Sequence, residues 1–151
     1  MKSGVDKIAR RPIGITAIVI HGQKMLLLKK IPIPFVMYKG LWLFVSGKRE
    51  RGEGFDETAF RELAEETGLQ KEDLHLVAKI RNVMKFHVKD GKRFYDMLYV
   101  FRSESGKIRL NFENTAYRWA SISDVKNERM YTNVFANEDF ILKVIKKALQ
   151  Q

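Results

Sequence analysis

The sequence predicts an α/β fold, a sandwich of helices on a mixed β-sheet, and three observations predict it. Short runs rich in β-branched and apolar residues come first, at strand length. A single segment of strong helix formers interrupts them near the middle, Asp56 to Thr67. An amphipathic stretch closes the chain, Glu138 to Leu149. Strands that precede and surround one central helix, with another at the end, suit helices packed against a mixed sheet. At 151 residues the length suits one domain over 1–151.

The first run, Ile13 to Ile20, turns at His21-Gly22-Gln23 and returns as Met25 to Leu28, which reads as a hairpin. Residues 31–40, IPIPFVMYKG, carry two prolines and break the second strand into a loop. That loop is read either as a flap over a site or as a plain surface connection. Leu41 to Val45 is a short strand leading into the central segment. From Asp56 to Thr67 there is no Gly or Pro, and Asp56 and Glu57 stand early, where negative charge suits the helix dipole. Ala59, Phe60 and Leu63 recur at helical spacing and are expected to pack inward. Gly68 suits a left-handed helix stop. Leu74 to Lys85 and Arg93 to Arg102 read as strands joined across Asp90-Gly91, a strong turn dipeptide. Tyr117 to Ala120 is the last strand, and Ser121 to Lys126 a turn or short helix. In the final helix Ile141, Val144, Ile145 and Leu149 form the inner face. No internal repeat or low-complexity tract is visible.

Composition narrows the function classes. The chain has no Cys, which excludes disulfides, Zn–thiolate sites and a Cys nucleophile. No run approaches the ~18 apolar residues of a membrane-spanning helix, so no membrane association is expected. The start, MKSGVDKIARRP, lacks the apolar core of a secretory signal, making the cytoplasm the expected compartment. Twenty-eight Lys and Arg against 18 Asp and Glu give a formal charge of +10, a field that draws polyanions.

The central segment carries the chemistry. Glu62 and Glu66 are four apart and Glu65 is three from Glu62, so one helical flank gathers carboxylates beside the apolar stripe. Like charges so placed repel unless something neutralises them. Hard divalent cations take oxygen ligands of this kind, and Mg²⁺ bridges such carboxylates to phosphates.

Residues 47–69, GKRERGEGFDETAFRELAEETGL, also fill every constrained position of G-x5-E-x7-R-E-U-x-E-E-x-G-U, with U aliphatic. The chain therefore resembles the Nudix hydrolases, and the resemblance implies their fold, an α/β/α sandwich around a mixed β-sheet, over nearly all its length. It further implies that Arg61 pairs with Glu53 to secure the loop. Glu62 and Glu66 become the expected metal ligands, with Glu65 a further ligand or the base that orients water. The cofactor implied is Mg²⁺, with Mn²⁺ as its substitute, and the reaction is attack of water on a phosphorus of a nucleoside diphosphate linked to a group X. One departure stands at the entrance to the box, where Val45-Ser46-Gly47 replaces the family's usual Pro-Gly-Gly. Ser46 is expected to offer the metal its backbone carbonyl, with less conformational freedom than Gly has.

Two features resemble the MutT branch, whose members hydrolyse nucleoside triphosphates to monophosphate and pyrophosphate. Glu113 precedes Trp119 in ENTAYRW, where such enzymes carry an extra ligand or base. Asn137 opens the last helix, where they place a base-reading Asn. The plainer readings are a loop carboxylate and a helix N-cap. Phe86, Tyr95 and Tyr99 are candidates to stack on a base or to pack in the core. Lys29, Lys30 and Lys39 flank the loop and are phosphate contacts or a solvated basic stretch. His21, His75 and His87 show no metal-ligand spacing. The substrate expected is thus a nucleoside triphosphate, an oxidised purine nucleotide among the candidates. The alternatives are an RNA 5′ end, ADP-ribose, a dinucleoside polyphosphate, or a non-catalytic nucleotide-sensing or nucleic-acid-binding module. No segment marks an oligomer interface.

Overall fold

The computed structural model describes residues 11–34, 39–86, 91–127 and 135–151. His87, Asp90 and residues 35–38 of the expected flap lie outside the described residues.

β1 (Pro12–His21) and β2 (Lys24–Lys30) form the expected hairpin, with His21 paired to Lys24 across a two-residue turn. Pro12 stands first in its strand, where a missing N–H costs no ladder bond. Beyond Met25 the two strands part, and the chain entering the central helix fills the gap. β3 (Trp42–Leu43) pairs with β2, and β4 (Val45–Lys48) pairs with β1, setting Gly47 opposite Ile15 and Ser46 opposite Thr16. The single strand expected over Leu41 to Val45 is therefore two short strands with different partners, and the second runs to Lys48. On its other side β1 runs parallel to β6 (Arg93–Ser103), which pairs antiparallel with β5 (Leu74–Phe86). β7 (Asn114–Ala120) covers the other edge of β2. It starts three residues before the expected Tyr117, because the pairing continues to Lys30 opposite Asn114. The sheet is mixed, as expected.

Helices cover both faces. α1 (Phe55–Thr67) packs on one side, where Ala59 and Leu63 meet Ile15, Ala17, Met97, Tyr99 and Phe101, with Phe60 packed half-buried against them. α3 (Glu138–Leu149) packs on the other, where Ile141, Leu142 and Ile145 meet Ile18, Ile20, Leu98 and Val100. Alternate residues of β1 serve the two cores, as period-2 geometry requires. The short α2 (Ile122–Asn127) follows Ser121, whose hydroxyl accepts the Asp124 N–H while the Asp124 carboxylate accepts the Ser121 N–H. Among the described residues no helix is long and apolar enough to cross a membrane.

Candidate active site

The site grows from the way α1 is started and stopped. Gly54 caps its N-terminus, and the Glu57 carboxylate accepts the Gly54 N–H at 3.3 Å. At the other end Gly68 adopts φ 77°, and its N–H donates to the Ala64 carbonyl at 3.1 Å. That left-handed geometry suits Gly and turns the chain off the helix without unpaired carbonyls.

Arg61 organises the loop ahead of the helix. Its Nε donates to Glu53 Oε2 at 2.7 Å and its Nη2 to Glu53 Oε1 at 3.0 Å, a bidentate pair. Nη2 also donates to the Lys48 carbonyl at 3.1 Å, which ties β4 to the helix. Glu53 further accepts from Thr58 Oγ1 at 2.7 Å and from the Glu50 N–H at 3.1 Å. These donors, Arg61 foremost, hold its carboxyl down at about 2. The Arg61–Glu53 pairing expected from the sequence is thus present in the geometry.

The carboxylate flank is present, but its members differ in burial. Nη1 of Arg61 donates to Glu62 Oε1 at 2.9 Å and also reaches Glu65 Oε2 at 3.4 Å. Glu65 is 53% exposed, whereas Glu62 and Glu66 are 13% and 1% exposed. Among the described residues no three acidic or histidine side chains are grouped to hold a metal ion. The gathering is of two carboxylates, Glu62 and Glu66. Burial first, then the neighbouring Glu66, pushes the Glu62 carboxyl well above the usual range, against the opposing pull of Arg61. The Glu62 carboxylate also lies against the backbone of Gly47. A Cβ at Gly47 would stand 2.1 Å from Glu62 Oε1, so only Gly fits that position.

Glu66 is 1% exposed. Its Oε1 accepts from Lys30 Nζ at 3.2 Å and from Asn114 Nδ2 at 3.2 Å, while Oε2 is buried without a partner. Lys30 also lies 3.9 Å from Glu113 Oε2, so one ammonium brings Glu66 and Glu113 together. Lys30 is therefore a neutraliser of carboxylates in this geometry. Two carboxylates pressed together, one with an unmatched buried oxygen, are an arrangement that a divalent cation with oxygen ligands would relieve. The residues present fit such an ion.

The remaining sequence candidates lie elsewhere. Ser46 is half-buried on β4 beside Gly47, held in the ladder opposite Thr16. Lys39 is exposed in the turn ahead of Gly40, and Phe86 ends β5 opposite Arg93. Tyr99 is a core residue, 1% exposed, stacked on Phe101, with its hydroxyl donating to Asp56. His21 contacts the Ser103 carbonyl and His75 contacts Glu104. Asn137 accepts the Phe140 N–H at 3.0 Å as the cap of α3, and it also lines a cleft of about 620 Å³ with Arg81, Asn82, Tyr95 and Phe140. Sequence reasoning missed Asn114 altogether. The one available signal was its place beside Glu113.

Comparison with known proteins bears on the family and the fold. A family model described as the NUDIX domain matches residues 10–140. The chain is 28% identical over 125 residues to a Bacillus subtilis (strain 168) protein named as the uncharacterized Nudix hydrolase YvcI, covering 80% of this chain and 73% of that one. Among solved structures, a C. elegans Ap4A hydrolase superposes with a TM-score of 0.70 at 18% identity, covering 91% of this chain and 96% of that one. A MutT protein from Methanosarcina mazei Go1 superposes with a TM-score of 0.68 at 19% identity, covering 93% and 98%. These structural likenesses carry the fold, and the family model carries the membership. With its box filled and its fold matched, the chain belongs to the Nudix family, as a hydrolase of phosphoric anhydride bonds.

Proposed function

We propose that the enzyme hydrolyses a nucleoside triphosphate to monophosphate and pyrophosphate, with Mg²⁺ or Mn²⁺ held by Glu62 and Glu66, and that residues 1–151 act as one Nudix domain. The observation that carries the reading is the buried, unpartnered Oε2 of Glu66 beside Glu62. A divalent ion bound there supplies neutralisation of the phosphate oxygens and Lewis-acid assistance to bond cleavage.

The chain's own residues do the positioning. Arg61, through Glu53 and the Lys48 carbonyl, keeps β4 and the loop docked on α1, so Glu62 and the Ser46-Gly47 backbone stay in register. Ser46 offers a backbone carbonyl at that register. Glu65, exposed at the rim, is the proposed base that takes the proton from the water attacking phosphorus. As the new P–O bond forms, the anhydride P–O bond breaks and pyrophosphate departs. Glu113, across Lys30 from Glu66, is a second carboxylate on the same side and the alternative base. Lys39, the cation of the 31–40 loop, is the candidate donor to a phosphate oxygen. On the substrate side, the cleft beside Asn137 and Tyr95 suits a purine, since a few amide groups stand among apolar walls. Phe86, at the end of β5, is the accompanying stacking candidate.

The +10 balance favours a second reading, hydrolysis at an RNA 5′ triphosphate or cap. Product identification separates the two. Purified protein is incubated with Mg²⁺ or Mn²⁺ and a panel of canonical triphosphates, an 8-oxo-purine triphosphate, ADP-ribose, a diadenosine polyphosphate and 5′-triphosphorylated RNA. Monophosphate and pyrophosphate from one triphosphate is the expected result, whereas cleavage of RNA or ADP-ribose alone replaces the substrate. Glu66→Gln is expected to lower kcat/KM by at least about 100-fold while the fold persists, as loss of a cation ligand removes several kcal/mol of charge stabilisation. Unchanged turnover in that variant would sink the proposed cation role.

A further inference from the structure

Among the described residues two buried side-chain polar atoms have no hydrogen-bond partner, Glu66 Oε2 and Asn114 Oδ1. They belong to side chains in direct contact, since Asn114 Nδ2 donates to Glu66 Oε1 at 3.2 Å. Buried polar atoms are nearly always satisfied, so two unmatched oxygens on touching residues point to something that both accept.

The orientation of the Asn114 amide is determined by its neighbours. Nδ2 faces two acceptors, Glu66 Oε1 and Asn111 Oδ1, the second at 3.4 Å. Exchanging N for O would set oxygen against two oxygens, so Oδ1 is the atom left over. Asn114 is 5% exposed and Glu66 1%. The backbone holds the pair rigidly as well, because Asn114 opens β7 opposite Lys30 and closes a turn in which its N–H donates to the Asn111 carbonyl.

Both orphans are oxygen acceptors, and the nearby ammonium of Lys30 is already engaged with Oε1 of the same carboxylate. A ligand that takes carboxylate and amide-carbonyl oxygens together is a hard divalent cation. We infer that Asn114 is a cation ligand, giving its side-chain carbonyl to the ion held by Glu66. The inference rests on the reading that Glu62 and Glu66 hold a divalent ion. It adds a neutral ligand from the sheet to the acidic ligands of the helix, so the ion would join β7 to α1.

The test uses Mn²⁺ bound to the full chain labelled with asparagine ¹³C at the side-chain carbonyl. Electron–nuclear double resonance then reads whether an amide carbon lies one bond from a Mn²⁺ ligand atom. The inference expects a ¹³C coupling in the unsubstituted protein that disappears in Asn114→Asp, with Mn²⁺ still bound. It also expects Asn114→Leu to weaken Mn²⁺ binding by about 10-fold or more, read from the signal of free Mn²⁺. Bound Mn²⁺ with no asparagine coupling overturns the inference and leaves Asn114 as a support for Glu66, its oxygen met by water. A coupling that survives in Asn114→Asp assigns the ligand to another asparagine and overturns it equally. No Mn²⁺ binding at all removes the cation reading of Glu62 and Glu66, and the inference with it.

Discussion

Each face of the sheet buries a lysine against a carboxylate, yet the two pairs are built to different ends. Under α3, Lys85 Nζ donates to Thr16 Oγ1 at 3.0 Å and to Asp96 Oδ2 at 3.3 Å, while Thr16 itself donates to Asp96 at 2.9 Å. The ammonium also lies 5.4 Å from the Phe94 ring centroid and 5.6 Å from that of Phe135. Both charged side chains are 5% exposed, and no atom of this triad is a buried orphan. Beside α1, Lys30 meets Glu66 at 3.2 Å but leaves Oε2 unmatched, with Glu113 3.9 Å from the same ammonium and Glu62 pressed against Glu66. The first cluster is closed, and its residues satisfy one another. The second is open, with more carboxylate than the chain itself neutralises. Closure marks a structural group and an unmatched remainder marks a site, because unmet buried charge persists only where a ligand completes it.

The open cluster is most sensitive at Gly47. Gly47→Ala pushes a methyl group into the Glu62 carboxylate, 2.1 Å from Oε1 in the present geometry. Displacing a catalytic group by about 1 Å is expected to cost on the order of 100-fold in kcat/KM with little change in Tm. Activity within a few-fold of the unsubstituted enzyme would mean that Glu62 does not need its place on the backbone. The closed cluster should respond in the opposite way. Lys85→Met strands Asp96 in the core and is expected to cost about 3–5 kcal/mol of stability, while metal-dependent kcat stays unchanged. Adding Asp96→Leu should restore much of the loss in denaturant unfolding. A Lys85→Met enzyme of normal stability would show that the triad is not closed.

The open side was legible in part, for a physical reason. Helix, cap and carboxylate spacing are local, so the run from Gly47 to Leu69 displayed Arg61, Glu62, Glu65 and Glu66 together with the glycine that ends the helix. The contacts that complete the pair are not local. Lys30 is 36 residues from Glu66 and Asn114 is 48 away, and both arrive through the β2–β7 ladder. The polar start of β7 hid that ladder, since Asn114 and Thr115 read as loop. The triad under α3 was hidden likewise, because Thr16, Lys85 and Asp96 lie on three strands and each looks like an ordinary strand polar residue. Arg61 reaches Glu53, Glu62 and Glu65 together, a span that spacing alone could not aim.

Two smaller effects are expected at Glu53 and Asn137. Glu53 is held at about 2 against an ordinary value of 4.5, a depressed carboxyl. Its contribution to stability is therefore present above about pH 4.5 and fades as the pH falls toward 2. Glu53→Gln should lower Tm at neutral pH, and the difference from the unsubstituted protein should close in thermal scans near pH 2. A gap independent of pH would mean that packing, not charge, holds the loop. Asn137→Ala removes the cap of α3 and is expected to cost about 1 kcal/mol. If Asn137 also reads a base, KM should rise for one purine triphosphate and not for the others. A uniform KM across bases leaves it a cap alone.

The most direct test of the open cluster is anomalous diffraction from crystals of the enzyme soaked in Mn²⁺. The account predicts an anomalous peak within ligand distance of Glu62 and Glu66 and none at the Lys85–Asp96 triad. Mn²⁺ bound elsewhere on the chain, with Glu66 Oε2 met by water or a side chain, would contradict it.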